Sequence, residues 1–386
     1  MTFPPKTVLV TGATGLLGIH LVDKLLSSLP CPSRIICLVR AKSQVAAREK
    51  LQAYCTAAKM ARVGAAISGT PGSSSTVEAL MGDLSEMTLG LGDERFRSLA
   101  CEIDAIYHCG AIVDWSLPFS SLFNANVRGT AEILKLSCSG SRVVPVHHIS
   151  TIEVAHCAPD GGFCSEIPAS PTSPPHSSLP YAHSKWAAEL VVEEAKKRGA
   201  NVIVYRPAVI AGSTETGVVQ VDDFWLMMLL ACVQLGATPS MPGGLPILSV
   251  DSCAASTVAI SLSQGASGIF HIVPETNMTY ERLFRSLAEA NVSGKSIREN
   301  VPTEEWVKML MTVPNALSAL SFLFIDSQTG PTKADQGIIP RERTAAIYKE
   351  CISATTMDVI QFINSANTSG FFSSSSIPQN KFMVSR

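Results

Sequence analysis

Thr7–Val10 is a short apolar, β-branched run that stops at a glycine-rich turn, Thr11-Gly12-Ala13-Thr14-Gly15-Leu16-Leu17-Gly18. From Gly15 to Ser28 the apolar positions (Leu16, Leu17, Ile19, Leu21, Val22, Leu25, Leu26) recur at helical spacing. Arg34–Val39 reads as a second buried strand, and Ser43–Arg62, rich in Ala, Arg and Lys, predicts a helix. Val77–Met81, Ile103–Cys109 and Val143–Ile149 read as further strands, with a helix from about Asn126 to Cys138 before the last. Tyr181–Lys197 predicts a helix and Val202–Tyr205 a strand. Strands alternating with helices at this spacing imply an α/β fold, a Rossmann-type doubly wound parallel sheet.

After Gly212 the pattern loosens into helices and short strands. Phe224–Leu235 is the most apolar segment, but at about a dozen residues it falls short of the roughly 20 a membrane span needs. It predicts a buried or substrate-facing helix, or a contact in an oligomer. Ser68–Ser75 is a Gly/Ser/Pro loop, and Pro159–Pro180 is too polar and too broken for a regular element. The second loop separates two candidate catalytic segments, a place that suits a mobile lid or a plain surface insertion equally. Ala366–Arg386, with serine at all of 373–376, predicts a disordered tail.

With 46% apolar and 16% charged residues among 386, a large core is expected and global disorder is not. A formal net charge of −2, without a dense basic run, argues against nucleic-acid binding. The eleven cysteines contain no Cys-x-x-Cys and no zinc-type spacing with histidine, so no metal site is predicted and a reducing compartment is. Met1–Lys6 runs straight into a strand with no secretory signal, which predicts a cytoplasmic protein without a membrane span.

The chemistry is concentrated in two places. At the first, the glycine turn joins strand to helix, so backbone N–H groups and a helix N-terminus face a pyrophosphate. Gly12, Gly15 and Gly18 are spaced as Gly-x-x-Gly-x-x-Gly. An NAD-preferring site would carry Asp or Glu at the end of the second strand. Here Cys37-Leu38-Val39-Arg40 has no carboxylate, and Arg40, helped by Arg48, suits a 2′-phosphate, which predicts NADPH. Gly82-Asp83-Leu84 ends the third strand, where Asp83 and the adjoining backbone can accept from an adenine amino group. His108-Cys109-Gly110-Ala111 ends the fourth; its small residues let the backbone approach a ribose, and His108 is expected to be structural. At the second place, Tyr181 and Lys185 lie four positions apart, on one helix face. A lysine cation there would lower the tyrosine pKa from about 10 and make it a proton donor to an oxygen gaining charge.

Together these pieces resemble an extended short-chain dehydrogenase/reductase. More narrowly, the chain is similar to the thioester reductase domains of nonribosomal peptide and polyketide synthases, aminoadipate reductases and carboxylic acid reductases. The likeness is carried in order by Leu38-Val39-Arg40-Ala41, Gly82-Asp83-Leu84 with Leu89-Gly90-Leu91, and Tyr107 through Trp115. Asn126-Val127-Arg128-Gly129-Thr130, Ile149-Ser150-Thr151, Tyr181 to Lys185 with Trp186, and Tyr205-Arg206-Pro207 continue it. Fainter echoes are Ser249-Val250-Asp251, Phe270-His271-Ile272-Val273 and Glu304-Glu305-Trp306. Many relatives have Arg-Pro-Gly where this chain has Arg206-Pro207-Ala208, and the stretch from Thr151 to Tyr181 is long and proline-rich.

The resemblance implies an NADP-binding domain over 1–212 and a smaller, mostly helical substrate-binding region over 213–365, interleaved with the first. It implies that Thr14, Leu16 and Leu17 hold cofactor with the glycines, and that Pro207 touches the nicotinamide. Tyr181 and Thr151, with Ser150 as fallback, would donate to the substrate oxygen, and Lys185 would hold the nicotinamide ribose. Asn126 would organise a relay water or cap its helix. The implied substrate is an acyl thioester on a phosphopantetheine carrier protein or on CoA, reduced to an aldehyde and onward to an alcohol, in secondary metabolism. No adenylation or carrier domain is recognisable in these residues. The competing readings on the same fold are a reductase of free aldehydes or ketones and a nucleotide-sugar epimerase or dehydratase. A non-enzymatic NADP-binding regulator has no use for a Thr151/Tyr181/Lys185 set.

Overall fold

The computed structural model describes residues 4–30, 33–69, 75–177, 179–220, 223–292, 296–312 and 339–347, and the short strand Phe382–Met383. The chain forms two compact units. The first comprises Met1–Ala208, Ser252–Ile272 and Ile339–Ile352.

Its centre is a seven-stranded sheet. Strands β1 (Thr7–Thr11), β2 (Arg34–Val39), β3 (Thr76–Met81), β4 (Ala105–His108), β5 (Val146–Ile149) and β6 (Val202–Pro207) are joined by the strand Gly268–Ile272. The spatial order is β3-β2-β1-β4-β5-β6-(Gly268–Ile272), and every pairing is parallel. This is the doubly wound sheet expected from the strand–helix alternation. β1, β2 and β4 to β6 are buried almost throughout, as strands covered on both faces must be. Its helices include α1 (Leu16–Ser28), α2 (Gln44–Ala57), α3 (Ala61–Ser68), α4 (Asp93–Glu102), α5 (Phe119–Phe123), α6 (Gly129–Cys138) and α7 (Pro180–Lys197). Leu9, Ile36, Leu99, Ile106, Ile133 and Val204 belong to one continuous core between sheet and helices.

Two elements differ from their sequence patterns. Ser43–Arg62 is two helices, because Lys59 takes a left-handed backbone (φ 57°) that turns the chain and lets Met60 and Val63 bury. The helix expected from about Asn126 begins earlier, since α5, a π-helical turn (Asn124–Arg128) and α6 follow one another without a break. Asn126 therefore lies inside a helical run and does not cap one.

The second unit comprises Val209–Asp251, Val273–Ile338 and Ser353–Arg386. It contains α8 (Phe224–Leu235), the start of α9 (Val250–Leu262), α10 (Tyr280–Glu289), α11 (Thr303–Thr312) and several short strand pairs. α8 has the bounds its apolar run predicts and is buried along most of its length. Its C-cap, Gly236, adopts a φ of 61°, the left-handed turn that ends a helix. Phe382–Met383 pairs antiparallel with Val219–Gln220; the rest of 366–386, expected to be disordered, lies outside the described residues. Among the described residues no helix is long and apolar enough to cross a membrane.

Candidate active site

β1 and β4 are neighbours although β2 and β3 lie between them in sequence, so the order reverses there. Ligands in such sheets bind at this switch point, beyond the C-terminal strand ends. Both glycine segments are there. Gly12 has a φ of 77°, and a Cβ on it would sit 2.8 Å from Gly110 N and 2.9 Å from the Cys109 carbonyl carbon. A Cβ on Gly18 would collide with the Gly12 carbonyl oxygen. Helix α1 starts at Gly15 with no side-chain cap and no acidic residue in its first turn. Its first N–H groups thus meet no competing carboxylate, which fits a bound pyrophosphate.

Arg40 is exposed just past β2, and among the described residues no hydrogen bond or ion pair engages its guanidinium. Arg48 differs: its Nη2 points at the Ile67 carbonyl on α3, 3.5 Å away. Asp83 uses Oδ1 locally, accepting from Ser85 N (2.9 Å) and Ser85 Oγ (2.6 Å), which leaves Oδ2 for a ligand. Leu84 is wedged close enough that a Cβ on Gly110 would be 2.6 Å from its Cδ1, and one on Gly129 2.8 Å from its carbonyl oxygen.

His108 is structural, as expected, and its hydrogen bonds have only one consistent direction. Gly110 N–H donates to Thr11 Oγ1 (2.9 Å), and Thr130 Oγ1 donates to the Asn126 carbonyl (2.6 Å). Thr130 can then only accept from His108 Nε2 (3.1 Å), while Thr11 Oγ1 donates to Nδ1 (2.8 Å). The ring is neutral and protonated on Nε2. Burial, reinforced by the Lys185 cation, holds its pKa down at about 3. This chain of bonds fixes Gly110 against the β1 turn.

Asn126 is buried, and its amide clamps two segments together. Oδ1 accepts from Ile112 N (2.7 Å), and Nδ2 donates to Ile112 O (3.0 Å) and to Ser184 Oγ (2.9 Å). Both amide protons are used, so the side chain ties the strand-end segment after β4 to α7 rather than capping a helix.

On α7, Tyr181, Lys185 and Glu189 follow one another at four-residue spacing on one face. Lys185 is buried and donates to the Ile149 carbonyl at 2.7 Å. Burial lowers its pKa to about 8, partly offset by Cys109 and Glu189. The expected depression of Tyr181 by this cation is not found. Burial raises the phenol above its usual value, and Cys109 and Glu153 add to the effect. Tyr181 is thus an acid that keeps its proton.

Ser150 Oγ donates to Glu189 Oε1 at 2.5 Å, committing its only proton. Thr151 is part-exposed at the start of a 3₁₀ turn (Ile152–Ala155), where its Oγ1 accepts weakly from Glu153 N (3.4 Å). Of the two adjacent hydroxyls, Thr151 retains the unspent proton. Glu189 also receives the Arg206 fork, Nε to Oε1 at 3.0 Å and Nη2 to Oε2 at 2.7 Å. Arg206 Nη1 reaches His271 Nε2 (3.3 Å), whose Nδ1 donates to Pro340 O (2.6 Å). Sequence reading passed over Glu189; its place one helical turn beyond Lys185 was the available signal.

The 159–180 loop is tied down at several points. Buried Glu166 accepts from the N–H groups of His271 (2.9 Å) and Arg343 (2.6 Å) and from Thr344. Trp186 Nε1 donates to Ser170 O (3.2 Å), and His183 Nε2 to Ser177 O (2.8 Å).

A dinucleotide turn at the switch point and a Tyr/Lys helix beside it agree with what comparison finds. The family model described as Male sterility protein, an NAD-binding family, matches residues 10–257. The chain belongs to this family. It is an oxidoreductase of the extended short-chain dehydrogenase/reductase type that binds a nicotinamide cofactor. It is 31% identical over 308 residues to a linear gramicidin synthase of Brevibacillus parabrevis, covering 78% of this chain and 6% of that protein. It is 30% identical over 307 residues to the L-2-aminoadipate reductase large subunit of Penicillium chrysogenum, covering 74% and 21%. The chain thus spans less than a third of the length of either relative. The terminal R domain of the myxalamid polyketide/nonribosomal peptide pathway matches with a TM-score of 0.81 at 28% identity, covering 96% of this chain and 92% of that one. These relatives agree with the thioester reductase resemblance seen in the sequence.

Proposed function

We propose that the chain is an NADPH-dependent reductase of acyl thioesters, working in the cytoplasm in secondary-metabolite biosynthesis. The acyl group would be delivered on the phosphopantetheine of a carrier protein or on CoA. One observation carries the reading furthest: Tyr181 and a buried Lys185 one turn apart on α7, with Lys185 fastened to the strand end that leads to Thr151, whose hydroxyl proton has no partner among the described residues, in a family whose relatives include synthase reductase domains.

In this reading Gly12, Thr14, Gly15, Leu16, Leu17 and Gly18 hold the pyrophosphate. Arg40 pairs with the 2′-phosphate, and Arg48 is set aside because it serves Ile67. Asp83 and Leu84 border the adenine; Cys109, Gly110 and Ala111 border the ribose; Lys185 and Pro207 hold the nicotinamide end. When bound, the reduced nicotinamide supplies a hydride to the acyl carbon. Tyr181 gives its proton to the carbonyl oxygen as negative charge builds there, and Thr151 donates a second hydrogen bond. Thr151 is preferred to Ser150 as this donor, because the Ser150 hydroxyl already donates to Glu189 Oε1. Collapse of the hemithioacetal expels the thiol and leaves an aldehyde, and a second reduction gives the alcohol.

The test is NADPH consumption with an acyl-CoA or acyl-pantetheine, set against the matching free aldehyde. Turnover of the thioester supports the reading. Turnover of the aldehyde but never the thioester overturns it in favour of a free-carbonyl reductase.

A further inference from the structure

Just past the Ile152–Ala155 turn, the chain makes a second, smaller structure that the reduction does not use. Gly161 N donates to Ala158 O (2.8 Å) and Ala158 N to Gly162 O (3.2 Å), closing a tight turn. Gly161 takes a φ of 82°, and Gly162 N is held by Asp160 Oδ1 at 2.9 Å. Two imidazoles brace the turn from outside its ring, His156 Nε2 on Gly161 O and His176 Nε2 on Ala158 O, each at 2.8 Å. Cys157 and Cys164 stand at its two ends. Their backbone N–H groups share one acceptor, the Ala155 carbonyl, at 2.8 and 2.7 Å. Their sulfurs lie 2.9 Å apart, and both residues are part-exposed.

We propose that Cys157 and Cys164 form a reversible dithiol–disulfide site, oxidised by a small disulfide such as glutathione disulfide. The entropy of bringing two thiols together is normally the main obstacle to closing such a ring. Here the turn's own hydrogen bonds have already met it. The sulfurs need approach only about 0.9 Å further to reach the roughly 2.05 Å of a disulfide bond. The histidines that flank the pair donate Nε2–H to carbonyls, and among the described residues no group of three metal-ligating side chains exists.

The chemistry balances without further reagents. One protein thiolate attacks a sulfur of glutathione disulfide and releases one glutathione, leaving a mixed disulfide. The second protein thiolate attacks the protein-side sulfur, forming the Cys157–Cys164 bond and releasing the second glutathione. The two protons lost by the protein end on the two glutathiones. Burial and the adjoining Cys164 sulfur push the Cys157 thiol up to about 12, with Arg206 opposing and Glu189 reinforcing the shift. Exchange at neutral pH is accordingly slow, since thiolate is the attacking form. The closed ring would hang from the Ala155 carbonyl, in the turn that Thr151 begins.

The experiment equilibrates the full chain in glutathione buffers of graded oxidised-to-reduced ratio, alkylates the remaining thiols and maps every cysteine by peptide mass spectrometry. The expected result is joint loss of alkylation at Cys157 and Cys164 under oxidising ratios, with the two joined in one species two hydrogens lighter. Reduced glutathione restores both. Cys157→Ser and Cys164→Ser each abolish the link and leave the surviving cysteine open to alkylation or to glutathione. The proposal is overturned if both stay alkylatable throughout, if each takes its own glutathione without a link, or if either pairs with a different cysteine.

Discussion

Glu189 and Arg206 meet as a two-pronged ion pair whose side chains are 1% and 2% exposed, directly behind the strand end that carries Ser150 and Thr151. Burying two charges is costly, and such a pair offsets that cost only while both members are present. Its value here is positional. Lys185 on Ile149 O and Glu189 on Ser150 Oγ fasten the end of β5 to α7 at two consecutive residues.

Glu189→Ala should therefore leave a buried, unpaired guanidinium and cost about 3–5 kcal/mol of stability. Ser150→Ala removes one charge-assisted hydrogen bond and should cost about 1.5–3 kcal/mol. Urea unfolding measures both. Equal, small effects would mean the pair does not anchor the strand.

Tyr181→Phe should lower kcat about 10²- to 10⁴-fold, the usual contribution of a positioned general acid. Its unfolding midpoint should stay near that of the parent, because no hydrogen bond of the fold depends on the phenol oxygen among the described residues. Steady-state kinetics alongside thermal melting separates the two. A rate that survives the substitution removes Tyr181 from the mechanism.

Arg40→Ala should raise the KM for NADPH about 10- to 100-fold, the range set by one charged hydrogen bond of about 1.5–3 kcal/mol. The KM for NADH should hardly move. Parallel titrations with both cofactors decide the matter, and an unchanged NADPH value rejects the 2′-phosphate assignment.

His108, His147 and His271 are each held at about 3, chiefly by burial, against the usual 6.5. The unfolded chain binds more protons than the folded one between those values, so stability is full above pH 6.5 and falls as pH drops toward 3. The loss should be on the order of a few kcal/mol per ring across the window. Urea midpoints taken from pH 7 down to 4 should decline, and His147→Gln should flatten part of the slope. A level profile would mean these rings are not buried neutral.

Much of the sheet was legible because parallel strands buried on both faces leave unbroken apolar runs, and Arg34–Val39 emerges with the bounds read from sequence; so does the apolar helix Phe224–Leu235. Ser43–Arg62 looked continuous because a left-handed Lys59 leaves no mark on apolar spacing. Asn126 was misplaced as a possible cap because Asn is a common cap residue, whereas its clamp depends on Ile112 and Ser184, which only the fold brings together. The pKa relation between Lys185 and Tyr181 failed for a different reason. Helical spacing places two side chains on one face but says nothing of desolvation, which raises the Tyr181 pKa with Cys109 and Glu153 adding to it. The Glu189–Arg206 pair and the Glu166 anchor join residues 17 and 105 positions or more apart, beyond what local pattern carries.

The most direct measurement is product analysis of an acyl-pantetheine or carrier-bound acyl thioester incubated with NADPH, quantifying free thiol, aldehyde and alcohol by mass spectrometry. The account predicts thiol release matched one-for-one by aldehyde plus alcohol, and its near-abolition in Tyr181→Phe. Intact thioester beside a consumed aldehyde control would contradict it.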